Sequence, residues 1–83
     1  MADVLVVEDD GDLLRLMSQL LSHDYTVLTA PSAESAMKTL AAHDINLIIT
    51  DMMMPGMNGL DFCRQAKSRI ESSHIPILLL TAN

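Results

Sequence analysis

Four short apolar runs alternate along this chain with stretches whose apolar residues recur at helical spacing. The runs are Val4–Val7, Tyr25–Ala30, Leu47–Thr50 and Ile75–Thr81. A continuous β-branched run such as Val4-Leu5-Val6-Val7 suits a strand buried on both faces, as in parallel sheets. Between the runs, Leu13, Leu14, Met17, Leu20 and Leu21 mark an amphipathic helix that starts at Gly11 or Asp12 and reaches about His23. Ala33, Ala36, Met37, Leu40 and Ala41 mark a second, with Ser32 as its N-cap and an end near His43. Leu60, Cys63, Ala66 and Ile70 mark a third. Pro76 falls at the start of the last run, where a missing N–H is tolerated. The order β-α-β-α-β-α-β implies a parallel sheet with helices on both faces and right-handed crossovers.

In such sheets ligands sit beyond the carboxyl ends of the strands, where strand order switches. Polar residues gather at those ends. Glu8-Asp9-Asp10 follows the first run, Asp51 follows the third, and Thr81 closes the fourth. A carboxylate at the tip of a buried strand is costly unless something there needs negative charge. Adjacent strands would collect these acids at one sheet edge, a setting that suits a divalent metal and a phosphoryl group.

Composition narrows the alternatives. Eighty-three residues form at most one domain, and a chain this short buries only about 60–65% of its unfolded surface. The aromatics are Phe62 and Tyr25, so the core must be aliphatic. A net charge of −6 with five scattered basic residues argues against direct contact with nucleic acid or with anionic membranes. Cys63 stands alone, which excludes an internal disulfide. With no signal-like opening and no membrane-length run, the reading is a cytoplasmic protein.

Three stretches carry a family resemblance: Val4-Leu5-Val6-Val7-Glu8-Asp9-Asp10, then Asp51-Met52-Met53-Met54-Pro55-Gly56-Met57-Asn58-Gly59, then Leu78-Leu79-Leu80-Thr81-Ala82. Together they resemble the receiver domain of two-component response regulators. The middle stretch is similar to that family's phosphoacceptor signature. The resemblance implies a flavodoxin-like, CheY-like α/β fold, with family strand order 2-1-3-4-5. Residues 1–83 then correspond to the N-terminal two-thirds of a receiver, through its fourth strand.

By the same resemblance Asp51 is the phosphoacceptor, charged by a histidine kinase or a phosphotransfer protein. Mg²⁺ is held by Glu8, Asp9, Asp51 and the backbone carbonyl of Met53. Thr81 offers its hydroxyl to the phosphoryl oxygens and acts as the switch. Asp10 aligns just outside the acidic pair and reads as a solvated loop acid near a helix start. The family lysine that follows strand five has no counterpart here. Lys38 and Lys67 fall on helices. Cys63 reads as a small core residue. Met52, Met53, Met54 and Met57 read as core and loop packing or as a soft docking patch. His23, His43 and His74 show no ligand spacing.

The implied role is a phosphoacceptor module, not a turnover enzyme, within a response regulator or a hybrid histidine kinase. Three alternatives stand beside it. One is an inert scaffold that self-associates or swaps elements through an exposed fourth strand. Another is a Mg²⁺-dependent aspartyl-phosphate phosphatase, disfavoured because position 53 is Met where that chemistry needs an acid. The third is a nucleotide or flavin binder, disfavoured by the lack of any phosphate-binding glycine motif.

Overall fold

The computed structural model describes residues 2–52, 54, 56, 58–70 and 72–80. The expectations placed on Met53, Met57 and Thr81 lie outside the described residues. The elements follow the expected order: β1 (Asp3–Val7), α1 (Gly11–Leu21), β2 (Thr26–Ala30), α2 (Ala33–Ala42), β3 (Leu47–Asp51), α3 (Gly59–Ser68) and β4 (Ile77–Leu80). The four strands form one parallel sheet in the order β2-β1-β3-β4. This is the CheY-like, flavodoxin-like arrangement.

Both sheet faces are covered, so the central runs are apolar throughout. Val4, Leu5, Val6 and Val7 are all buried. Leu5, Val7 and Ile48 face a core built with Ala33, Ala36, Met37 and Leu40 of α2 and with Phe62 and Ala66 of α3. Val4, Val6 and Ile49 face the other way, against Leu14, Met17 and Leu21 of α1. Two helices thus cover one face and α1 alone covers the other.

Short polar side chains start each helix by accepting otherwise orphaned N–H groups. The Asp10 carboxylate accepts from Asp12 N at 3.0 Å and Leu13 N at 3.3 Å. The Ser32 hydroxyl accepts from Ser35 N at 3.1 Å, as expected of it. The Asn58 side-chain carbonyl accepts from Asp61 N at 2.9 Å.

Two apolar stripes differ from their sequence reading. In α1, Leu14, Met17 and Leu21 pack inward, whereas Leu13 and Leu20 are exposed and no residue of the helix is fully buried. One helix lying on one sheet face contacts it along a narrow line. In α3 the buried face is Gly59, Phe62 and Ala66, while Leu60 and Ile70 are exposed. Cys63 is half-buried beside that face and is no core residue; partial burial raises its thiol pKa, and the Lys67 charge one turn on works against that rise. Ile70 faces solvent because the helix ends at Ser68. Arg69 then adopts an extended backbone that turns the chain away. Lys67 secures this turn, donating to the carbonyls of Ile75 at 2.6 Å and Ser73 at 3.3 Å.

Candidate functional site

The site follows from register. β1 and β3 are neighbours, and Val7 pairs with Thr50. The next residue on each strand is therefore an acid beside an acid, Glu8 and Asp51. The Glu8 N–H donates to the Ala30 carbonyl at 3.0 Å, extending the pairing with β2 and fixing the strand tip. Connections leave β1 toward β2 on one side and β3 toward β4 on the other, so this is the switch point of the sheet.

Glu8, Asp9 and Asp51 each present a carboxylate oxygen within 4.8 Å of the others. Their surroundings differ: Glu8 is 6% exposed, Asp51 half-buried and Asp9 exposed. Glu8 Oε2 is fully buried with no hydrogen-bond partner among the described residues. Burial pushes the Glu8 carboxyl up to about 7, helped by its hydrogen bond with Asp51 and by the charges of Asp51 and Asp9. Leaving water disfavours the carboxylate, and so does a like charge at short range.

This donor set fits a hard divalent cation. It offers carboxylate oxygens alone, and Glu8 also carries a buried, unsatisfied oxygen, Oε2. Opposite oxygens on a magnesium octahedron stand about 4.2 Å apart, so the cluster is at most slightly wider than such an ion needs. The basic side chains of Arg15, Lys38, Arg64 and Lys67 are engaged elsewhere. Arg15 pairs with Asp12, Lys38 with Glu34 at 4.0 Å and Arg64 with Asp61 at 3.6 Å, while Lys67 binds carbonyls.

Of the residues singled out by sequence, Glu8, Asp9 and Asp51 are brought together. Asp10 is separated from them in role, as the exposed N-cap of α1. Met54 is buried, Met52 half-buried, and all three histidines are exposed. The sequence reading missed the depth of Glu8. Its cue was available, since Glu8 continues directly from a run that is buried on both faces.

Comparison with known proteins agrees with this fold. Residues 4–83 match the family model described as the response regulator receiver domain. The chain belongs to that family. It is 40% identical over 79 residues to a histidine kinase, P4, of Formosa agariphila, covering 95% of this chain and 6% of the kinase. It is 34% identical over 83 residues to the response regulator ArlR of Staphylococcus aureus, covering 99% of this chain and 36% of that protein. The chain thus spans only a small part of the length of these relatives.

Among solved structures, the N-terminal domain of a response regulator receiver protein from Methanoculleus marisnigri superposes with a TM-score of 0.95 at 30% identity. That match covers 100% of this chain and 68% of the other. The chemotaxis protein CheY4 of Vibrio cholerae gives 0.94 at 31% identity, covering 100% and 70%. This receiver domain is therefore a module of two-component signalling. No helix among its described residues is long and apolar enough to cross a membrane.

Proposed function

We propose that this receiver accepts a phosphoryl group on Asp51 from a phosphohistidine, carried by a histidine kinase or a phosphotransfer protein. A carboxylate oxygen of Asp51 attacks phosphorus, the N–P bond of the donor breaks, and the imidazole leaves with the bonding pair and takes up a proton. The product is an acyl phosphate. Phosphoryl transfer asks the protein chiefly for alignment and for neutralisation of charge. Glu8, Asp9 and Asp51 would hold Mg²⁺ together with the Met53 carbonyl, and Thr81 would hydrogen-bond the phosphoryl oxygens. Bound there, the ion supplies the positive charge that lets an anionic phosphoryl group approach an anionic nucleophile. On binding, the cation would displace the Glu8 proton to solvent, and the orphaned Glu8 oxygen would gain a partner.

The observation that carries this reading is the convergence of three carboxylates, one of which has an unsatisfied buried oxygen. The test is incubation with Mg²⁺ and a small acyl phosphate, followed by mass analysis. A phosphoryl adduct on the peptide containing Asp51 is expected in the wild type and absent in Asp51→Ala. An adduct that persists in the variant would place the acceptor elsewhere. Labelling is expected to be slow, since the chain's two lysines stand on helices and Lys67 is bound to carbonyls.

A second proposal concerns association. β4 carries no charge, and Leu78 and Leu80 are exposed along it. With Met17, Leu20, Leu21 and Ile49 they line an apolar cavity of about 220 Å³. The occupant proposed for this face is a second copy of the same chain.

A further inference from the structure

At the start of α3, Gly59 packs against the end of β3 without a side chain. A Cβ built on Gly59 would lie 2.5 Å from the carbonyl oxygen of Asp51, 2.7 Å from Met52 Cα and 2.9 Å from Leu79 Cδ2. Ordinary contact begins near 3.4 Å. The two nearest obstacles are backbone and cannot rotate away. Gly59 N–H also donates to the Met52 carbonyl at 2.5 Å, closing the loop that runs from Asp51 into α3. The other described glycines, Gly11 and Gly56, have nothing within 4 Å of such a Cβ.

We infer that Gly59 is a positioning residue for the carboxylate site. The bare backbone of the first turn of α3 is the stop against which Asp51 rests. The chemical consequence depends on the proposed Mg²⁺ and phosphoacceptor reading; the geometry does not.

A methyl group at position 59 must push something by about 1 Å, because packed interiors compress little. α3 is the stiffer side. Phe62 and Ala66 seat it in the core at 0% exposure. The tip of β3 is the softer side. Its strand pairing lies on one flank: the register with β1 stops at Val7 and Thr50, while Asp51 pairs with Leu80 of β4. The push therefore falls on the Asp51 peptide and moves its carboxylate relative to Glu8 and Asp9. A displacement of about 1 Å at a reacting group lowers rates by about a hundredfold.

Metal-free crystal structures of the wild type and of Gly59→Ala give the first readout. The expected result is an Asp51 carboxylate shifted by about 1 Å from Glu8 with α3 in place. An unmoved Asp51 beneath a lifted α3 overturns the inference.

Mg²⁺ titration followed by amide chemical shifts gives the second, run in trimethylamine oxide so that all variants are folded. Gly59→Ala is expected to weaken Mg²⁺ binding about tenfold or more. Phe62→Leu loosens the same helix away from Asp51 and is expected to change binding less than about twofold. Adding Leu79→Ala to Gly59→Ala removes only the side-chain obstacle, so binding stays weak. Recovery in that double variant, or equal weakening by Phe62→Leu, overturns the inference. A wild type with no Mg²⁺ affinity defeats the metal reading instead, and the carboxylate distance still decides the role of Gly59.

Discussion

Glu8 answers to two opposed demands. Its place at the end of β1 buries it, and its neighbours Asp51 and Asp9 repel its charge, so the metal-free protein holds a proton there up to about pH 7. A cation demands the ionised form. A carboxyl whose folded pKa exceeds its unfolded value binds its proton more tightly when folded. Its stabilising contribution is therefore complete below the unfolded value of 4.5 and is lost as pH rises through about 7. Losing that contribution matters in a domain this small. Without metal, the melting temperature should fall by several degrees between about pH 5 and about pH 8. Glu8→Gln should flatten this slope, and saturating Mg²⁺ should offset it in the wild type alone. Circular-dichroism melts decide the matter: an unchanged slope in Glu8→Gln would assign the pH dependence to other groups. Which acids would matter could be read from the chain, because they end apolar runs. How differently each is solvated could not, because that follows from the pairing of Val7 with Thr50.

Helix α3 sets out the same division one level up. That a helix follows the Pro/Gly turn is legible in the polar Asn58 and the return of helical spacing. Its inward face is not, because a Gly at position 59 carries no hydrophobic signal and yet is buried with no room for a Cβ against Asp51 and Met52. Leu60 and Ile70 look apolar enough to define a face and define none. Mutational stability tests this phase directly. Phe62→Ala should lower the unfolding free energy by about 3–5 kcal/mol, enough to unfold much of the population. Leu60→Ala and Ile70→Ala should each stay within about 0.5 kcal/mol, as surface changes do. Comparable losses at positions 60 and 62 in urea melts would contradict the observed face. The caps act on a smaller scale. Asp10→Ala removes the acceptor for two N–H groups of α1 and should cost about 1 kcal/mol, with no change in Mg²⁺ affinity if Asp10 serves the helix and not the cluster.

The whole molecule is uneven in what it shows to solvent. One edge of the sheet, β2, turns Thr26 and Thr29 outward, and threonines on an edge bind water well. The other edge, β4, turns out Leu78 at 51% and Leu80 at 38% exposure, beside Leu20 of α1 at 64%. Soluble proteins commonly protect edges with charge, a bulge or a covering element, and an apolar unpaired edge invites another strand. The patch contains no charge, so two copies can meet across it about a two-fold axis, with β4 antiparallel to its counterpart and the exposed leucines of α1 closing over the junction. The −6 charge of each chain opposes that meeting at long range, and salt screens the repulsion without weakening apolar contact. Light scattering should accordingly give a mass that rises with protein concentration and rises further with salt. Leu78→Lys places on the edge the residue that natural sheets use to block pairing, and should leave a monomer with an unchanged circular-dichroism spectrum. A wild-type mass that stays monomeric across the soluble range, or a Leu78→Lys variant that associates as strongly, would remove β4 as the seam and leave its leucines as surface tolerated by a single folded chain.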